Sequence, residues 1–147
     1  MACLTVTESI DAPPERVFAL ATDFAGAPER VRGVKRLELL TDGPIGVGTR
    51  WRETRQIFGK ESTEELEITR FDPPRSYTAE CETCGCRFES TITCEPEGAG
   101  TLVTFQNQTQ ALTLSAKLMA PLGVLMAGGM KKLFAADLAD LRRAAEA

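Results

Sequence analysis

Trp51-Arg52-Glu53-Thr54-Arg55-Gln56-Ile57 alternates with a period of two, which places Trp51, Glu53, Arg55 and Ile57 on one face of a strand and Arg52, Thr54 and Gln56 on the other. The segment lies inside a succession of alternating stretches that runs from about Val34 to Ala111 and then stops abruptly. From about Thr113 to Glu146 the period becomes helical. A curved antiparallel sheet closed by one long C-terminal helix encloses a pocket more readily than a solid core, so function is expected in the pocket lining.

Turn chemistry divides the strand region. Asp42-Gly43-Pro44 separates Val34 to Leu40 from Gly48 to Phe58, and Gly59-Lys60 separates the latter from Glu61 to Phe71. Asp72-Pro73-Pro74-Arg75 leads to Ser76 to Glu82, Thr83-Cys84-Gly85 turns into Cys86 to Cys94, and Glu95 to Gly100 precedes a last strand, Thr101 to Ala111. Upstream, Leu4, Val6 and Ile10 alternate with Thr5, Thr7 and Ser9, which makes a first strand with Glu8 on its apolar face. Asp11-Ala12-Pro13-Pro14 then predicts a helix capped by Asp11, with Val17, Leu20, Ala21 and Phe24 as its stripe, followed by a short helix around Ala27 to Val31. The expectation is seven strands, two short helices after the first of them, and one long final helix.

The stretch Leu118 to Met130 carries no charge, but its thirteen residues fall short of the about 20 that span a bilayer. Pro121, Gly123, Gly128 and Gly129 predict a kinked helix there. We expect this run to face the core; the alternative is a gate that admits a ligand or touches a membrane surface. Further on, Leu133, Phe134, Leu138 and Leu141 share one side, with Lys131, Lys132, Asp140, Arg142 and Arg143 mostly on the other.

The 147 residues suit a single domain, 1–147, and no linker-like tract or internal repeat divides them. A net charge of -4 disfavours a phosphate-backbone partner. The start Met1-Ala2-Cys3-Leu4-Thr5 lacks the features of a secretory signal, so a cytoplasmic location with reduced cysteines is expected. With no histidine, Ser-His and Cys-His catalytic pairs and imidazole metal sites are out of reach.

Ile10-Asp11-Ala12-Pro13-Pro14-Glu15-Arg16-Val17-Phe18, Gly46-Val47-Gly48-Thr49-Arg50-Trp51, Phe71-Asp72-Pro73-Pro74-Arg75 and Gly100-Thr101-Leu102-Val103-Thr104-Phe105 resemble four architectural motifs of one family. It is the START-like, Bet v 1-like (SRPBCC) superfamily, in its bacterial polyketide cyclase/dehydrase and lipid-transport branch. The resemblance covers essentially the whole chain and implies an α+β helix-grip fold: a seven-stranded curved antiparallel sheet wrapped on a long C-terminal helix. It further implies an apolar ligand, such as a lipid, polyketide or isoprenoid, held between sheet and helix. The motifs carry no catalytic signature, and the activity does not travel with the fold.

Alternation assigns the inward faces. On the third and fourth strands these are Trp51, Glu53, Arg55 and Ile57, then Glu64, Leu66 and Ile68. The fifth gives Tyr77, Ala79 and Cys81; the sixth, Phe88, Ser90, Ile92 and Cys94; the last, Val103, Phe105, Asn107 and Thr109. The helix is expected to add Leu118, Met119, Leu122, Leu125, Met126 and Met130. From these we take Trp51, Glu53, Arg55, Leu66, Tyr77, Phe88, Ile92, Phe105, Asn107, Leu118, Leu122, Met126 and Met130 as ligand-binding candidates; the other reading is that they fill a dry core.

Glu53 and Arg55, about 6 to 7 Å apart along one face, make a polar spot that could take a head group, or else a solvated ion pair of little energetic weight. A buried Glu53 would need a partner such as Arg55, Asn107 or Tyr77. Cys81-Glu82-Thr83-Cys84-Gly85-Cys86, with Cys94 beyond it, could supply thiolates to zinc or a redox pair, but hairpin geometry separates them and plain small cysteines are expected, with no metal. The favoured reading is a carrier or sensor of a hydrophobic small molecule that needs no cofactor, a monomer or homodimer with no nucleic-acid partner and no stable membrane insertion. The alternatives are a cyclase or dehydratase using Glu53, Arg55 or Tyr77, and a regulatory interaction module with a filled core.

Overall fold

The structure, a computed structural model, describes residues 2–147. Its elements are β1 (Ala2–Ile10), α1 (Pro14–Ala21), α2 (Ala27–Arg30), β2 (Val34–Leu39), β3 (Arg50–Ile57), β4 (Lys60–Asp72), β5 (Ser76–Thr83), β6 (Cys86–Glu97), β7 (Gly100–Ala111), α3 (Leu114–Leu118) and α4 (Ala120–Glu146). The strands form one antiparallel sheet in the order β1-β7-β6-β5-β4-β3-β2, so the first strand closes on the last. This is the helix-grip fold.

Two tight turns fix the hairpins. Phe58 and Gly59 both take positive φ, 51° and 80°, as do Cys84 and Gly85, 53° and 73°; paired left-handed residues give a two-residue turn whose twist matches its strands. Elsewhere the ladder slips by one residue, between Val34 and Arg36 and between Ile68 and Arg70. Such bulges sharpen sheet curvature. The second also restores Phe71 to the inner face, opposite Tyr77, where strict alternation from Ile68 would turn it out.

Outside, the sheet is polar. Thr54 meets Thr63 at 2.8 Å and Thr78 meets Thr91 at 2.9 Å, while Arg52 bridges Glu65 at 2.7 Å and Arg70 bridges Glu89 at 2.6 Å. Ion pairs this open to water stabilise by less than about 1 kcal/mol each and serve mainly to keep the face solvated. Inside, one cluster gathers Val6, Ile10, Val17, Phe18, Cys94, Val103, Leu138 and Leu141, joining β1, α1, β6, β7 and the end of α4. A second holds Phe24, Trp51, Ile68 and Ala79. Fully enclosing an aliphatic side chain such as Val17, Ile68 or Val103 contributes about 1.5–3 kcal/mol.

The end of α4 is also tied down by hydrogen bonds. Arg16 Nε donates to the Ala145 carbonyl at 2.7 Å, and the Asp11 backbone N–H to Glu146 at 2.8 Å. The predicted Asp11 cap is thus not formed: α1 begins at Pro14 with Pro13 in the capping position and no side-chain cap. Asp140, placed by helical spacing on the polar side, is only 2% exposed, because Arg32 and Arg143 both reach it, at 3.1 and 3.0 Å. Glu8, the odd acid of the first strand, pairs with Arg142 at 3.0 Å.

The single long helix of the sequence reading is in fact two. The break falls at Met119, just before Pro121, whose ring removes a backbone donor and suits a first turn. The expectation that Leu118 to Met130 faces the core is overturned. Leu118 is 73% exposed, Leu122 47%, Leu125 82% and Met126 42%, and Met119 is exposed too. The apolar core is already filled by the second half of α4, and the first half leaves its large apolar side chains exposed.

Candidate functional site

Period-two alternation on β3 carries Trp51, Glu53 and Arg55 to the concave face, in register with Leu66, Glu64 and Ser62 of β4. Beyond them the pairings Ile68 opposite Ala79, Tyr77 opposite Ile92, Ile92 opposite Phe105 and Ser90 opposite Asn107 continue the same face across β5, β6 and β7. Leu66, Tyr77, Phe88, Ile92 and Phe105 are half-buried rather than sealed.

Above this face the chain makes a bridge. Leu112 N–H donates to the Gly85 carbonyl at 2.8 Å and Thr113, the cap of α3, sits so close that a Cβ on Gly85 would lie 2.5 Å from its hydroxyl. Farther along, Gly129 passes the Phe58 ring, where a Cβ would come within 2.7 Å. The helices therefore run from the β5–β6 tip past the β3–β4 tip to β1 and α1.

The polar centre is a three-residue cluster. Arg55 Nη1 donates to Asp137 Oδ2 of α4 at 2.8 Å, and Arg55 Nε lies 3.4 Å from Glu53 Oε2. The three side chains keep 18%, 27% and 22% of their surface, for Arg55, Asp137 and Glu53, which is enclosure with an open side. Burial pushes the Glu53 and Asp137 carboxyls up, and the Arg55 charge only partly offsets it. Arg55 itself is held above its ordinary value, its two carboxylate neighbours outweighing the burial that acts to lower it.

Glu64 faces Glu53 across the β3–β4 ladder and is met by neutral donors: the Ser62 hydroxyl at 3.3 Å and the Cys81 thiol at 3.5 Å. Burial, followed by the Glu64 carboxylate, pushes the Cys81 thiol up to about 12; burial pushes Cys94 up to about 11. Both stay protonated near neutrality, the reverse of a reactive thiolate. Cys84 and Cys86 lie at the hairpin turn, all five cysteines are free, and among the described residues no group of three or more potential ligands could hold a metal ion.

Aromatic rings wall one side. Phe24 stacks on Trp51 with centroids 4.1 Å apart, and Tyr77 stands edge-on to Phe24 at 5.7 Å. The Trp51 Nε1–H is buried without an acceptor among the described residues. Burial, then the Glu53 charge, pushes the Tyr77 hydroxyl above its ordinary value. Arg30 is tied to the Asp23 carbonyl at 3.3 Å and to its carboxylate at 3.8 Å. On the other side Phe105 tilts against Phe134 at 4.7 Å.

The structure thus brings together Trp51, Glu53, Arg55, Leu66, Tyr77, Phe88, Ile92, Phe105 and Asn107 on one face. Asn107 does not partner Glu53: its amide donates to Ser90 at 2.9 Å and accepts from Thr109. Leu118, Leu122 and Met126 are exposed, and Met130 is half-buried. Sequence reasoning missed Asp137, although it falls three residues after Phe134 and four after Leu133, a charge inside the apolar stripe. A hollow of about 440 Å³ lies elsewhere, near Pro28 and β2, and is lined largely by the charged side chains Lys35, Arg36, Glu38 and Arg52.

Among solved structures, the chain is similar to TTHA0849 from Thermus thermophilus, with 25% identity over 97% of this chain and 95% of that one, at a TM-score of 0.79. The di-domain ARO/CYC BexL of the BE-7585A biosynthetic pathway aligns at 22% identity and TM-score 0.79 over 99% of this chain, which spans 50% of that protein's length. The ginseng major latex-like protein 151 from Panax ginseng shares the fold at 14% identity and TM-score 0.78, with 98% and 97% of the two chains covered. No curated protein matches the sequence. Residues 1–146 match the family described as polyketide cyclase / dehydrase and lipid transport, the helix-grip fold agrees with that match, and the chain belongs to that family.

Proposed function

We propose that the protein binds a hydrophobic small molecule in the groove between the concave face of β3 to β7 and the bridge formed by α3 and the first half of α4, as a carrier or sensor. One observation carries this reading. Leu66, Tyr77, Phe88, Ile92 and Phe105 remain half-buried on the sheet, while Leu118, Leu122 and Met126 of the bridge are exposed, so two apolar surfaces of one groove lack a common filling. No described helix is long and apolar enough to cross a membrane, which leaves a role other than spanning for that apolar segment. The Glu53, Arg55 and Asp137 cluster gives the groove a polar end that orients the ligand.

Titration with N-phenyl-1-naphthylamine, a neutral dye that brightens in apolar surroundings, tests the reading. Saturable enhancement is expected, and Ile92→Trp, which fills the groove, should weaken it at least about tenfold with the circular dichroism spectrum retained. Absence of enhancement in the wild type would sink the proposal.

A second reading, a cyclase or dehydratase, is favoured by Glu53, whose carboxyl is raised by burial and could exchange a proton while Arg55 polarises a carbonyl. A cyclised product from a poly-β-ketone with the wild type, and none with Glu53→Gln, would assign the enzyme; no product with the wild type would assign the carrier.

A further inference from the structure

The cation that would draw an acidic ligand into the groove is already engaged. Arg55 holds Asp137 at 2.8 Å and Glu53 at 3.4 Å, so one positive charge faces two carboxylates. Glu64, opposite Glu53, adds a third carboxylate whose partners, the Ser62 hydroxyl and the Cys81 thiol, are neutral. Arg30 is tied to Asp23 through its two Nη atoms, while its Nε is buried without a partner among the described residues. An anion placed here would meet a negative field in surroundings that screen it poorly.

The groups left without partners among the described residues, the Trp51 indole N–H and Arg30 Nε, are both donors, so an acceptor oxygen on the head group also suits the site. Trp51, two residues before Glu53 on the same face, keeps a buried N–H with no acceptor among the described residues. A hydroxyl head group suits this set: it donates to a carboxylate and its oxygen can accept from an indole N–H.

We propose that the polar end of the groove takes a hydrogen-bond-donating head group without negative charge, a hydroxyl-bearing or amine-bearing apolar molecule, and discriminates against carboxylates and phosphates. This rests on the groove-binding reading above and narrows its ligand class.

Competition against bound N-phenyl-1-naphthylamine by decanol, decylammonium and decanoate, alike in chain length, tests it. In the wild type at about pH 7.5, decanoate should displace the dye at least about tenfold less well than either decanol or decylammonium. Asp137→Asn should shrink the decanoate deficit to less than about threefold, with Glu53→Gln as the second variant if the first loses its fold by circular dichroism. Equal or tighter binding of decanoate in the wild type, or an undiminished deficit in a folded variant, would overturn the inference. Dye bound and displaced equally by all three overturns this inference alone, whereas a dye that never binds removes the groove reading and this one with it.

Discussion

The two halves of α4 share a helix and an apolar composition, yet they meet opposite fates. In the second half Leu138, Leu141 and Ala145 are 2%, 5% and 3% exposed against β1 and α1; in the first, Val124 and Leu125 are 71% and 82% exposed. The contrast teaches that an apolar helix is buried only where a partner surface is available. Near its end α4 finds the sheet face and α1; near its start its apolar side chains are left exposed. One half therefore supplies stability and the other contributes little to the core.

The largest test of that contrast is truncation in each half. Leu138→Ala should lower unfolding free energy by about 2–5 kcal/mol, because it leaves a cavity in the main cluster. Leu125→Ala in the first half should change it by no more than about 0.5 kcal/mol, both read from urea denaturation. A large loss at Leu125 would mean that the bridge is itself part of the core.

Asp140→Asn comes next, at about 1–3 kcal/mol, since it weakens charge-assisted bonds to the Arg32 backbone and guanidinium. Its pH signature should oppose that of Asp137, one turn away. Burial acts to raise the Asp140 carboxyl, but the Arg32 hydrogen bonds and the Arg32 and Arg143 charges outweigh it and hold it below the usual range. A depressed carboxyl stabilises above its unfolded value of about 3.9 and loses that contribution as pH falls through the folded value. The Asp140→Asn deficit should therefore be full at neutrality and vanish in strong acid.

At Asp137 burial wins and the carboxyl is raised. Its ionised form costs stability above the folded value, and that cost is relieved as pH falls through it. Relative to Asp137→Asn, the wild type should gain stability between about pH 7 and pH 4, measured by thermal unfolding. Parallel pH trends for the two variants would break the distinction between an aspartate dominated by burial and one dominated by its arginine bonds.

The smallest effect is expected at Gly128, in the exposed half, where a Cβ would meet nothing within 4 Å. Gly128→Ala should stabilise by about 0.5–1 kcal/mol through helix propensity alone, visible as a raised denaturation midpoint. If it also slows dye release, flexibility of the bridge controls access to the groove.

Much of the fold was legible because its signals are local. Alternation from Trp51 to Ile57, turn residues at Gly59 and Gly85, and the helical period after Thr113 each depend on neighbours within a few positions. The Glu53 and Arg55 half of the polar cluster was legible on the same ground. Its third member was not, because Asp137 is 82 residues from Arg55 and only tertiary packing brings them to 2.8 Å. The bulge that turns Phe71 inward was equally hidden, since one unpaired residue in a ladder leaves no mark on composition.

By itself the sequence determined the order of strands and helices, the inward positions of β3 and the absence of imidazole chemistry, because these follow from residue period and residue type. Tertiary structure alone decided which half of α4 is buried, which aspartate is sheltered by two arginines and which joins Glu53, and that Arg55 answers to two carboxylates. Burial and charge pairing depend on which surfaces meet in space, and a helix with apolar residues along its whole length does not say where its partner surface ends.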